Sequence, residues 1–201
     1  MNIGDINQRL ERINHSFVSL KNKNFSQIET STSVSGDIYS ATIDFNGGKT
    51  EAELKNSVYL LISNIASIKD HLKAWCLSNS KVFTGDHLID QDINVSIVHD
   101  LWNIDKHPEY NNPRSGFLPK IVNLKQTLLS SVGTGAGYTI FSFDPSTGEN
   151  KIESGGSGSV DLSINGNIVN ERGEIIGNLV DVCNQALLSW EKELRRLGII
   201  K

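Results

Sequence analysis

The chain has 201 residues, of which 38% are hydrophobic and 21% are charged, a composition typical of a globular protein rather than a disordered one. Its formal net charge of −4 argues against a broad basic surface that coats nucleic acid, so we expect no DNA partner, although a small local basic site is compatible with it. The first residues lack the basic start and apolar run of a signal peptide, and no segment reaches the length of a membrane span. We therefore predict a single domain over residues 1–201, located in the cytoplasm without membrane contact.

Apolar residues at helical spacing predict the first two helices. The first covers about residues 3–20, and the second covers about residues 50–77, where Thr50 and Glu53 form a capping box at its start. The second helix carries an unbroken a/d seam, which belongs either in a helix bundle or in a helix-mediated dimer. The seam consists of Leu54, Val58, Leu61, Ile65, Ile68, Leu72 and Trp75.

Cap and stop signals predict further helices. Asp92 is a good N-cap for a helix over about residues 92–106, and Pro108 ends this helix because the residue before a proline disfavours helical geometry. The last helix covers about residues 174–197, with Arg195 and Arg196 in its final turn, where cations suit the helix dipole. A shorter helix is predicted over residues 119–129.

Alternating apolar residues and turn signals predict a small antiparallel sheet. Its strands come from about residues 36–45, 138–153 and 159–170, and Asn165-Gly166 is a strong hairpin signal inside the last of these segments. The glycine-rich segment 133–137 precedes a strand and opens no helix, so we interpret it as a loop rather than a phosphate-binding motif. The predicted fold class is therefore α+β: a bundle of about four main helices with a small antiparallel sheet.

The segment Asp-Leu-Trp-Asn-Ile-Asp-Lys-His, residues 100–107, holds most of the candidate chemistry. Asn103, Lys106 and His107 stand at i, i+3 and i+4 and would share one helix face. A functional interpretation makes His107 a general acid or base, with Asp100 as a candidate to set its tautomer. Helix termination is the simpler interpretation, since cations at a helix C-terminus hydrogen-bond the last carbonyls.

The remaining histidines and cysteines form no recognisable metal site. Cys76 and Cys183 lie far apart and are expected to be free, buried thiols. His71 lies off the a/d seam, so we expect it to face solvent or a satisfied interface, and His87 and His99 have no evident partner. No carboxylate at ligand spacing completes a metal triad, so we expect neither a metal nor a cofactor.

Residues 68–75 and 100–107 resemble uncharacterised bacterial proteins that carry an Asp-Leu-x-Asn-x-x-Lys-His signature. The helix order is similar to that of the HEPN superfamily, helical-bundle domains found in many toxin, CRISPR-associated and phage-defence ribonucleases. This resemblance covers about residues 50–130 and the last helix. It implies an RNA-directed protein in a defence or toxin–antitoxin setting, and a homodimer as the assembly.

The resemblance also implies a catalytic mechanism, but this sequence departs from the HEPN pattern at one catalytic position. HEPN nucleases place an arginine four to six residues before the histidine, whereas no basic residue stands at the corresponding positions before His107 here, and the polar Asn103 is offered instead. Arg114, in the following loop, could replace that arginine. In an active enzyme, His107 would assist attack of the 2′-hydroxyl on the adjacent phosphate, Lys106 or Arg114 would stabilise its charge, and Asn103 would position it, without a metal.

The alternative is a non-catalytic interaction module. The a/d seam over residues 54–75 would then serve a homodimer or a partner protein. The acidic composition and the missing arginine favour this alternative. The sequence therefore leaves two hypotheses open: an RNA-directed protein with a degenerate active site, and a dimeric interaction module. It does not decide whether the chain is an enzyme.

Overall fold

A computed structural model describes residues 3–19, 29–35, 38–44, 50–132, 138–144, 149–155 and 158–200. The chain divides into two compact units. The first, here called the helical unit, comprises Met1–Phe17, Lys55–Leu124 and Asn165–Lys201. The second, here called the hairpin unit, comprises Val18–Leu54 and Lys125–Ile164. The single domain over residues 1–201 stays a prediction.

The fold class is α+β with helices predominating, as the sequence predicts. The described helices are α1 (Ile3–Ser19), α2 (Glu51–Ala66), α3 (Ile68–Ser78), α4 (Gly85–Gln91), α5 (Ile93–Lys106) and α6 (Leu179–Arg196). The described strands are β1 (Glu29–Ser35), β2 (Ile38–Asp44), β3 (Lys120–Val132), β4 (Tyr138–Asp144), β5 (Glu149–Gly155), β6 (Gly158–Val169) and β7 (Ile175–Asn178). None of the helices in the described part of the chain is long and apolar enough to cross a membrane.

The long helix predicted over residues 50–77 is two helices. The capping box is confirmed, since Thr50 N–H donates to Glu53 Oε2 and Glu53 N–H donates to Thr50 Oγ1. The chain turns at Ser67, whose hydroxyl donates back to the Asn64 carbonyl, and such back-bonding by serine bends helices. All seven seam residues are nevertheless buried within this one chain. The seam therefore forms core within the chain, as in the bundle alternative, and the homodimer stays a prediction.

Helix α5 has the predicted limits. The Asp92 carboxylate accepts from the N–H groups of Asn94 and Val95, which satisfies two of the donors left over at a helix start. His107 follows the last helical residue with an extended backbone, φ −130° and ψ 93°, as expected before Pro108.

Two predictions about the last third of the chain are wrong in part. Helix α6 begins at Leu179 rather than near residue 174, because Ile175–Asn178 forms strand β7 and Asn178 caps the helix. The Asn165-Gly166 hairpin is absent, and β6 continues through both residues to pair antiparallel with β7. A Cβ atom on Gly166 would lie 3.3 Å from the Val122 carbonyl, so this glycine allows close approach to β3 rather than a turn.

The predicted short helix over residues 119–129 is also wrong, because this segment belongs to β3. It lies beside β6 in a three-stranded sheet with the order β3-β6-β7. Its β-branched residues Ile121 and Val122 suit a strand, and tertiary pairing decides between the two local structures. In the hairpin unit, β1 pairs with β2 and β4 pairs with β5, both antiparallel. The loop predicted over residues 133–137 lies outside the described residues.

Both cysteines are free and buried, as predicted. Complete burial raises the pKa of the Cys183 thiol to about 12, and burial also raises the pKa of Cys76. A thiol that resists ionisation is a poor nucleophile and a poor metal ligand, so both side chains act as packing residues.

Candidate functional site

The Asp100 carboxylate is the centre of the polar structure at the end of α5, and it is fully buried. Tyr110 Oη and the Arg114 N–H donate to Oδ1 over 2.7 and 3.0 Å, while the Ser115 N–H and hydroxyl donate to Oδ2 over 2.8 and 2.6 Å. Each oxygen thus has two donors from the loop after the helix. The expected contact with the His107 imidazole is not among them, and Asp100 anchors the loop instead.

Asn103 contacts a histidine that the sequence left without a partner. His99 is only 7% exposed, its Nδ1 lies 3.0 Å from Asn103 Nδ2, and its ring meets Trp102 edge to face. Because the amide nitrogen can only donate, Nδ1 accepts and the proton of the neutral ring sits on Nε2. The expectation that His99 has no partner is therefore wrong; the i, i+4 spacing of His99 and Asn103 was the available signal.

His99 is held neutral by its surroundings. Burial, and after it the nearby cations Lys69 and Arg114, lower its pKa to about 4, although Asp100 and Asp70 oppose the shift. A histidine with this pKa does not exchange protons readily near neutral pH. His99 is thus a core residue that responds to acid.

Lys106 lies over the indole of Trp102, with Nζ 3.7 Å from the ring centroid. This i, i+4 cation–π contact keeps the ammonium on the surface of its own helix. The three residues predicted to share a face therefore have separate environments: Asn103 contacts His99, Lys106 contacts Trp102, and His107 is exposed beyond the helix end.

The Arg114 guanidinium joins an ion-pair cluster on α4. Its Nη1 lies 3.1 Å from Asp90 Oδ1 and its Nη2 lies 3.4 Å from Asp86 Oδ1. Lys69 Nζ lies 2.9 Å from the same Asp86 oxygen, and its hydrogen bond is the main reason why the pKa of Asp86 is lowered. Arg114 thus ties the loop to α4, where Asp86 in turn pairs with Lys69 of α3, instead of completing a pair with His107.

A groove of about 680 Å³ lies beside the end of α5. Tyr59, Tyr110 and Lys120 line it, and Tyr59 and Lys120 also line a smaller cavity of about 200 Å³ together with Lys55. Burial raises the pKa of both tyrosines, so both remain neutral phenols. The larger groove is lined by Tyr59, Ile104, Pro108, Tyr110, Leu118, Pro119, Lys120, Val122, Val169, Asn170, Glu171 and Gly173.

Comparison with known proteins gives no relative for this chain: no family model, no curated protein and no solved structure matches it. The likeness to HEPN domains therefore stays a resemblance. Within the described ranges, no group of three or more His, Cys, Asp or Glu residues could hold a metal ion. The arrangement offers a groove lined by two tyrosines and one lysine, next to a helix end where Asp100, Asn103 and Lys106 already contact other residues of the chain.

Replacing Asp100 by alanine should destabilise the protein by about 3 kcal/mol or more, because buried loop donors would lose their acceptor. Asp105→Ala, an exposed change on the same helix, should stay within about 0.5 kcal/mol of wild type. Urea unfolding followed by circular dichroism measures both. Equal midpoints for the two variants would contradict the anchoring role.

Stability should fall on acidification through His99. Its folded pKa of about 4 lies below the unfolded value of about 6.5, so this contribution is complete above pH 6.5 and is lost as the pH falls toward 4. The loss amounts to about 3 kcal/mol. His99→Gln removes the titration, so its free energy of unfolding should change less between pH 7 and pH 4.5 than that of wild type. If the free energies of unfolding of wild type and His99→Gln fell by the same amount over this pH range, the assignment to His99 would be refuted.

Proposed function

We propose that this protein is an RNA-directed, HEPN-like protein that binds RNA at the end of α5 and lacks a complete catalytic site. The observation that carries the proposal is the groove beside Pro108, where Tyr59 and Tyr110 occur together with Lys120. Lys55 lines the smaller cavity, which shares Tyr59 and Lys120 with this groove. Aromatic rings that stack unpaired bases, combined with cations that meet phosphates, are the usual means of binding single-stranded RNA.

Of the two tyrosine rings, Tyr110 is the one whose position is fixed before any base stacks on it. Its hydroxyl donates to the buried Asp100 carboxylate over 2.7 Å, and Asp100 is itself held by Ser115. A ring fixed before binding loses little side-chain entropy when a base stacks on it. Lys120 lines the same groove, where its ammonium would meet a phosphate of the stacked nucleotide.

Binding is favoured over cleavage because the proposed catalytic residues have other partners. Metal-free attack by a 2′-hydroxyl needs a base and a cation on the same phosphate. Arg114 is paired with Asp86 and Asp90, and Lys106 lies on Trp102, so neither cation is available to a phosphate beside His107 at the helix end. We propose a degenerate site in a cytoplasmic bacterial defence or toxin–antitoxin setting, on the strength of the resemblance alone.

Fluorescence anisotropy with a labelled unstructured RNA tests the binding site. Tyr110→Ala should weaken binding by about 5- to 150-fold, the cost of losing one stacked base. Lys120→Ala should reduce the slope of log affinity against log salt by about 0.7, the value for one phosphate contact to a single strand. Lys192→Ala, an exposed change on α6, is the matched control and should leave both quantities unchanged.

The same material tests for cleavage. Wild-type protein should leave the RNA intact, and His107→Ala should bind it with similar affinity. Cleavage by wild type that His107→Ala abolishes would overturn the non-catalytic part of the proposal. Binding that neither Tyr110→Ala nor Lys120→Ala weakens would overturn the choice of groove.

A homodimer is a second proposal, supported by an exposed apolar pair rather than by the buried seam. Ile93 on α5 is 51% exposed and Leu188 on α6 is 47% exposed, and their neighbours Asp92 and Ser189 are hydrogen-bonded to each other. A two-fold axis at this pair would bury the same patch on both copies. Light scattering should then give twice the chain mass for wild type and the single mass for Leu188→Glu. A strictly monomeric wild type would refute it.

A further inference from the structure

A polar cluster joins α1 to α2 and α3 inside the helical unit, away from the groove. Arg9 Nη1 donates to Asn64 Oδ1 over 2.6 Å, and Arg9 Nη2 lies 2.8 Å from His71 Nε2. Asn64 Nδ2 also donates to Ser16 Oγ over 3.2 Å. One arginine of α1 thus contacts both neighbouring helices, in an interface whose other α1 contributions include the buried Ile6 and Ile13.

The Arg9 contact fixes the protonation state of His71. A guanidinium has five donors and no acceptor, so Nε2 must supply a lone pair and the proton of the neutral ring lies on Nδ1. Nδ1 is buried and has no hydrogen-bond partner. The sequence-based expectation for His71, solvent-facing or satisfied, is therefore only half met: Nε2 is satisfied, and Nδ1 is not.

We propose that the Arg9–His71 contact is an acid-sensitive clasp, which holds α1 on α2 and α3 near neutral pH and releases it when His71 gains a proton. A protonated imidazole has no lone pair to offer Arg9. Protonation would therefore replace a hydrogen bond over 2.8 Å by two cations at the same separation. This inference is independent of the proposed function and of RNA.

The charges around His71 favour the neutral ring. Burial is the largest cause of its lowered pKa and Arg9 is the next; Arg12 on α1 also lowers it, while Asp70 on α3 and Asp5 on α1 oppose the shift. Helix α2 contributes the neutral Asn64 to the cluster. Arg12 adds a second cation from α1, so movement of Arg9 alone would not remove the repulsion.

The sign and size of the effect follow from linkage. Because the folded pKa of His71 lies below the unfolded value of about 6.5, docking of α1 is strongest above pH 6.5 and weakens as the pH falls. If only the undocked state takes the proton, lowering the pH from 7.5 to 5.5 reduces the docking equilibrium constant by about tenfold.

Hydrogen exchange measured by mass spectrometry tests the clasp on the full chain. After correction for the intrinsic pH dependence of exchange, protection of the α1 peptide should fall by about tenfold between pH 7.5 and pH 5.5. In His71→Gln the amide oxygen still accepts from Arg9 but cannot titrate, so α1 protection should lose its pH dependence. His99→Gln is the matched control, and its α1 peptide should respond to pH as in wild type.

Loss of pH dependence in His99→Gln but not in His71→Gln would overturn the proposal, as would an α1 peptide in wild type that ignores pH. If His71→Gln does not fold, the ring ¹⁵N spectrum of the wild-type protein decides. It should show Nε2 as the unprotonated nitrogen at pH 7.5, with α1 amide signals that change along the same titration curve as His71. A ring protonated at Nε2 would refute the clasp.

Discussion

The structure at the end of α5 depends on one buried carboxylate. Asp100 has no exposed surface, and burying an ionised carboxylate is costly unless donors surround it. The four donors come from residues 110–115, so the chain must fold back after Pro108 to reach them. This return places the Tyr110 ring in the wall of the groove and brings Arg114 to α4. In a motif that resembles a catalytic signature, Asp100 therefore serves first to anchor the loop that follows the helix.

The polar side chains of residues 100–107 make structural contacts that leave them less available for catalysis. A catalytic base or cation must be available to a substrate, whereas Asn103 and Lys106 are engaged by His99 and Trp102 on their own helix. Both contacts are i, i+4 pairs, so the helix that gathers the residues also satisfies them. This is why the groove, whose tyrosines and lysine come from separate parts of the chain, is the stronger basis for a function.

The sequence predicted most of what depends on local chemistry. The Asp92 cap, the Thr50 capping box and the burial of the a/d seam are all confirmed, because caps and periodicity act within a few residues. The errors arise where tertiary pairing decides. Residues 119–129 form a strand because β6 lies beside them, and Gly166 permits a close approach where a turn was expected. The sequence indicated which segment holds the candidate site, but it did not predict the contacts within that site. Asp100 and Ser115 come into contact only after the chain has folded back.

The buried His99 and the partly buried His71 show why a fold can be sensitive to acid without a dedicated motif. His99 and His71 both lie near cations that the structure needs for other contacts, Arg114 for α4 and Arg9 for α2. Each ring is accordingly kept neutral, and protonation costs free energy in each case. The consequences differ because the positions differ. His99 is packed in the core helix α5, so its protonation opposes the fold as a whole, whereas His71 lies where α1 docks and its protonation acts on that contact first. A contact between residues 62 positions apart, such as Arg9–His71, has no local signature and is found only in the folded chain.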